Sequence, residues 1–166
     1  MREKLTAQDV RKIQDEIDYR KEIVRRDAIE AVKEARAQGD LSENFEYYAA
    51  KKHKNENESR IRYLENLLKN AILVHDTSRE DEVGLDDEVE IYFEDDDETQ
   101  TIKLVTSIRG DSLDNRISIE SPIGKALRGR REGDRVKVET ENGYSYYIQI
   151  RSIRKSDQEN EDIRAY

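Results

Sequence analysis

Cysteine and tryptophan are absent from this chain, and proline and methionine occur once each. Without thiols there is no disulfide, no iron–sulfur cluster and no thiolate zinc site, and nothing in the composition points to an oxidising compartment. The two histidines, His53 and His75, are too few for a histidine-based zinc site. Long apolar runs are missing too; "AILV" at 71–74 is typical of the longest. The opening "MREKLTAQDV" has no apolar stretch, so neither a signal peptide nor a membrane span is expected, and the expected location is the cytoplasm.

What is present is charge. Charged residues make up 42% of the 166 positions and the hydrophobic set 34%, too polar a balance for one compact core and suited to an elongated body. Nine Tyr against two Phe imply half-buried rings whose hydroxyls stay wet. The formal net charge of −9 is unevenly spread: residues 1–75 hold 16 Lys/Arg against 15 Asp/Glu, the remainder 14 against 24. An acidic chain is a poor autonomous binder of duplex DNA. Any nucleic acid must be delivered by another molecule.

Thr6 followed by Asp9 reads as a helix start, and Val10, Ile13, Ile17, Val24, Ala28, Ala31 and Ala35 recur at helical spacing up to Gly39. A second periodic stretch runs from about Ser42 to Leu73 with Ile61, Leu64, Leu67, Leu68 and Ala71. Two helices joined by a short turn make an antiparallel hairpin. The polar waist "KKHKNENESR" is expected to flank a thin seam.

The period changes after residue 75. "DEVEIYFED", "TIKLVTS" and "RISIE" read as strands, and "RVKVETENGYSYYIQIRSI" as a β-hairpin turning at Asn142-Gly143. "SPIGKALRG" reads as a short helix with Ser121 as N-cap, Pro122 first and Gly129 past its end. The expected fold class is α+β: an N-terminal antiparallel helical hairpin (coiled coil) over 1–75, a linker over 76–84, a small antiparallel sheet domain with one short helix over 85–155, and a fraying polar tail over 156–166.

The far end of the hairpin holds Asp40, Glu43 and Glu46 after Gly39. Asp40-x-x-Glu43 has the form of a capping box, with Gly39 as the left-handed residue ending the first helix. The other reading is a pair of exposed carboxylates, half of a Mg²⁺ site to be completed elsewhere, with Arg36, Lys51 and Lys52 close enough to steady a phosphate backbone. Spacing alone favours the cap, and the two readings are compatible.

"ARAQGDLSENFEYYAAK" with "RIRYLENLLKNA", and then "ISIESPIGKALRGRREGDRVKVET" about 75 residues later, resemble the two signatures of the GreA/GreB family of bacterial transcript cleavage factors. The resemblance implies an N-terminal antiparallel coiled coil and an FKBP-like C-terminal domain. It implies a partner, bacterial RNA polymerase, whose secondary channel takes the coil and whose channel rim takes the globular domain. Asp40 and Glu43 then match the catalytic and Mg²⁺-binding pair, which helps the polymerase cleave the 3′ part of a backtracked nascent RNA. Arg36 and Lys51 match basic positions near that RNA; Ser121, Pro122 and Ile123 match the docking loop. Asn44, Glu46 and Tyr47 match neighbouring positions, while Phe45 stands where a small residue is usual. The chain is thus expected to be a monomer that donates acids in trans, with no turnover of its own, no membrane contact, and Mg²⁺ held only within the polymerase complex. A channel-plugging regulator that inhibits without cleavage is the second expectation. A prolyl isomerase is a third class, but an FKBP-like fold does not confer that activity. With two Phe and no Trp an aromatic-lined proline pocket is not expected.

Overall fold

In a computed structural model, which describes residues 2–39 and 44–165, the chain divides into two compact units. One comprises Met1–Arg2 with Gln8–Ala71, the other Glu3–Ala7 with Ile72–Tyr166. Among the described residues no helix is long and apolar enough to cross a membrane.

The first unit is a helical hairpin. Its first arm runs through α1 (Ala7–Tyr19), a π turn (Arg20–Val24) and α2 (Arg25–Ala37); its second arm is α3 (Phe45–Asn70). At 1.5 Å per residue α3 extends over about 39 Å. Cross-arm bonds give the direction: Asn44 meets Ala35, Glu58 meets Arg25, and Arg60 meets Glu16, so the arms are antiparallel. The seam is thin, as expected. Ile13, Ile17, Ala28, Ala35, Ile61 and Leu64 are buried, whereas Ala31 is exposed.

The polar waist does not merely flank this seam. Asn57 and Arg60, both within it, are buried. Arg60 Nε and Arg20 Nε both donate to Glu16 Oε2, at 2.9 and 2.7 Å. Arg25 forks onto both oxygens of Glu58 at 3.0 and 2.8 Å. A two-helix layer cannot exclude water from a wide core, so its polar positions are tolerated inside only where each finds a partner across the seam.

The second unit begins with β1 (Lys4–Leu5), parallel to β2 (Ile72–Leu73). A five-stranded sheet follows: β3 (Glu88–Phe93), β4 (Glu98–Val105), β5 (Arg116–Ser118), β6 (Arg135–Glu139) and β7 (Ser145–Arg154), in the order β5-β4-β3-β7-β6. Val89, Ile91, Ile102, Leu104, Val136, Val138, Ile148 and Ile150 alternate onto one face and form the core with Leu127 of α4 (Pro122–Leu127). The sheet is antiparallel as expected except at one pairing, β4 with β5, which is parallel. Two 3₁₀ turns, Ser107–Arg109 and Ser112–Asp114, carry the chain between them. Gly143 takes φ +83 in the β6–β7 turn.

Two segments differ from expectation. Within 76–84, Val83 is fully buried in the core, its N–H bonded to Arg130 O. The Lys155 ammonium also fastens this stretch through Ser78 Oγ, Glu82 O and Asp87 Oδ2. The polar tail does not fray either. Glu161 is buried against Lys103 at 2.9 Å, Arg164 N donates to Ile108 O, and Arg164 pairs with Glu3. Apolar residues inside an acidic stretch, and cations supplied from far away in sequence, explain both.

Burial pushes the Glu16 carboxyl up, and the bonds from Arg60 and Arg20 more than offset it, leaving it below its ordinary 4.5. The fork from Arg25 likewise lowers Glu58. Both folded values lie below the unfolded one. Their contribution to stability is therefore complete above about pH 4.5 and disappears as the pH falls through the folded values. Thermal melts of the hairpin helicity by circular dichroism should show a shallower acid decline for Glu16→Gln than for the wild type. Identical slopes would show that the Glu16 pairing does not differ between folded and unfolded chains.

Candidate functional site

The first arm ends with Gln38 as C-cap and Gly39 at φ +118, a conformation side chains other than glycine's rarely adopt. The second arm begins at Phe45, and its N-cap is Asn44. The Asn44 amide works in both directions. Its Oδ1 accepts from Tyr47 N at 3.0 Å, while its Nδ2 donates to Ala35 O at 2.6 Å. One side chain thereby caps α3 and ties it to the last turn of the first arm. The capping role expected of Asp40 and Glu43 is filled for α3 by Asn44; Asp40 and Glu43 themselves lie outside the described residues.

Arg36 and Lys51, on opposite arms, converge on Tyr47. Arg36 Nη2 lies 3.4 Å from the Tyr47 hydroxyl and its guanidinium 5.6 Å from the ring centre. The Arg36 hydrogen bond lowers the Tyr47 pKa from its ordinary 10.0, with help from the Lys51 and Arg36 charges. Tyr48 meets Tyr47 edge-on at 5.5 Å. Phe45 is 86% exposed on the first turn of α3. Chemically, this flank offers two cations held around a phenol, beside open aromatic surface. It can hold a phosphate by charge and a base by its face. Among the described residues no group of three or more His, Asp or Glu could hold a metal ion.

The other expected site residues share one turn of the second unit. Ser121 Oγ accepts from Gly124 N at 3.0 Å and donates to Ser118 O at 2.7 Å, Pro122 is the first residue of α4, and Ile123 packs on the core. All three are half-buried. Lys4 pairs with Glu120 at 2.7 Å beside them and lowers its carboxyl pKa. Gly124 is what lets the turn close: a Cβ there would stand 2.0 Å from Ser118 O, a backbone atom with no room to yield. Gly124→Ala is therefore expected to cost about 1–3 kcal/mol through overpacking, read as a lower urea midpoint of the full chain. An unchanged midpoint would mean that the turn can open without loss.

Two features escaped the sequence reading: the two-way bonding of Asn44 and the burial of Asn57. An Asn three residues before a tyrosine amide carries the ordinary N-cap signal, so the first was readable. The second has no local signal.

The whole chain also compares directly with known proteins. A model described as "Transcription elongation factor, N-terminal" matches residues 3–73, and one described as "Transcription elongation factor, GreA/GreB, C-term" matches residues 78–155. Transcription elongation factor GreA of Geobacillus kaustophilus is 41% identical over 140 residues, 84% of this chain and 89% of that protein. GreA of Thermoanaerobacter pseudethanolicus is 41% identical over 152 residues, 91% and 96% of the two chains. Among solved structures, GreA factor homolog 1 (Gfh1) of Thermus thermophilus is 26% identical, covering 93% of this chain and all of its own, with a TM-score of 0.43. With both family models matched in order and the identity sustained over nearly the full length, the chain belongs to the GreA/GreB family of transcription elongation factors.

Proposed function

We propose that this protein enters the secondary channel of bacterial RNA polymerase with its helical hairpin and stimulates cleavage of the 3′ end of backtracked RNA, so that arrested complexes resume synthesis. One observation carries the reading: α3 takes its N-cap from Asn44. The two carboxylates just before it in sequence, Asp40 and Glu43, are then not required to cap α3, as a role toward a partner demands.

In this reading Asp40 and Glu43 contribute oxygen donors to a Mg²⁺ site completed by the polymerase. Two carboxylates suit a hard cation that favours oxygen, but they leave most of an octahedral shell to other ligands. Held by Asp40, Glu43 and the polymerase, such an ion would supply Lewis-acid polarisation of a phosphoryl oxygen and a lowered pKa for an attacking water. Arg36 and Lys51 hold the RNA backbone beside the acids, and Tyr47 keeps the Arg36 guanidinium in place. The turn at Ser121, Pro122 and Ile123 rests on the channel rim. The protein has no turnover alone, acts as a monomer in the cytoplasm, and meets nucleic acid only inside the complex.

The test uses stalled, end-labelled elongation complexes with the cognate polymerase and Mg²⁺. Wild type should shorten the RNA, and Asp40→Asn/Glu43→Gln should lose that stimulation by about 10²-fold or more while still competing with wild type for the polymerase. If neither protein shortens RNA and both slow nucleotide addition, the hairpin is a plug and the cleavage reading fails.

A further inference from the structure

The first arm carries one residue more than an even seam requires. In a 3–4 alternation Ile17 would be followed on the seam by Arg20, Val24 and Asp27. The next fully buried residue is instead Ala28. The π turn takes up the difference, since the N–H of Arg25 reaches back five residues to the Arg20 carbonyl. Opposite that carbonyl stands Asn57, 2% exposed. Its Nδ2 donates to Arg20 O at 3.2 Å, and its Oδ1 accepts from Arg20 Nη1 at 3.0 Å. Both ends of one buried amide are thus matched to a single residue, at the one place where the first arm departs from α-helical geometry.

Apart from Asp9 and Arg60, the other buried residues of the two arms are Ile, Leu and Ala. Such layers distinguish poorly between one heptad alignment and the next. The Arg25–Glu58 and Lys21–Glu65 pairs sit at its partly exposed rim, where ion pairs discriminate weakly. The Glu16–Arg60 pair lies deeper, next to the same layer, and supports it. A slip of one heptad would shift α3 by about 10 Å and leave the Asn57 amide against apolar side chains with no partner.

We propose that Asn57 is the register key of the hairpin: a positioning residue that fixes the axial alignment of α3 by recognising the π turn, and so keeps Asn44 opposite Ala35 at the hairpin's end. Its consequence for activity rests on the proposed cleavage function; the alignment itself does not.

The absence of cysteine permits paired spin labels at Glu30→Cys and Asn55→Cys, both exposed positions, in the full chain. With Asn57 present, one narrow distance is expected. Asn57→Leu should melt at or above the wild-type temperature, yet show a second distance that differs by several ångströms and by at most about 10 Å, the axial shift of one heptad. Its stimulation of RNA shortening should fall about 10²-fold, as a misplaced reacting group requires. Asn57→Ala should show the same second distance at a lower melting temperature. A single unchanged distance in both variants overturns the register key, as does an Asn57→Leu protein that is less stable but correctly aligned, because that is a packing role only. If the wild type fails to shorten RNA, the cleavage reading falls while the distances still decide the alignment.

Discussion

The pairing of Glu16 with Arg60 across a seam only two helices thick, joined by Arg20 from the same arm as Glu16, is the constraint on which the hairpin depends. A broad core could fix two arms by volume alone. Here only a few apolar layers are available, and polar residues must sit between them. Each such residue costs free energy inside unless its partner is correctly placed on the other arm. The same requirement that makes these positions demanding makes them specific, for they are satisfied in one alignment. The geometry at the hairpin's end follows, since Asn44 can reach Ala35 only when the arms are in step.

The second unit solves a different problem. Its sheet has one well-filled face, and charge is used around it to fasten segments that contribute few apolar side chains. Lys155 holds the stretch after residue 76, and Lys103 with Arg109 holds the tail through Glu161. Arg109 is wholly buried and also pairs with Asp86 at 2.6 Å. Burial nevertheless dominates the Asp86 carboxyl and leaves it above its ordinary value. An acidic domain thus keeps its few buried cations where polar chain would otherwise detach.

Local signals were legible and distant ones were not. Ser121, Pro122 and Gly129 announced α4 because caps and glycine ends are decided within a few residues, and Asn142-Gly143 announced its turn for the same reason. Choosing Asn44 over Asp40 as the cap was harder, because the two types cap about equally well and stand four residues apart. The π turn was invisible, since the apolar spacing of the first arm is compatible with an unbroken helix until Asn57 is placed opposite it. The tail misled for a physical reason: polar composition predicts fraying only when no buried partner exists, and the partners of Glu161 and Arg164 lie far back in the chain. At the candidate site, Arg36 and Lys51 were readable as neighbours of the hairpin's end, but their convergence on Tyr47 required the arms to be set side by side.

The assignment of residues 3–7 to the second unit bears on the order in which the protein assembles. Leu5, fully buried, pairs with Leu73, and Glu3 waits for Arg164. The hairpin's contacts close over shorter stretches of chain and are complete once α3 has been made. The first strand, by contrast, is synthesised before anything it binds. During translation it must stay unpaired while the entire hairpin emerges, and Arg164, the partner of Glu3, arrives 161 residues later. A strand of only two residues, Lys4 and Leu5, preceded by Glu3, is well suited to that delay, because it presents little edge for another chain to capture.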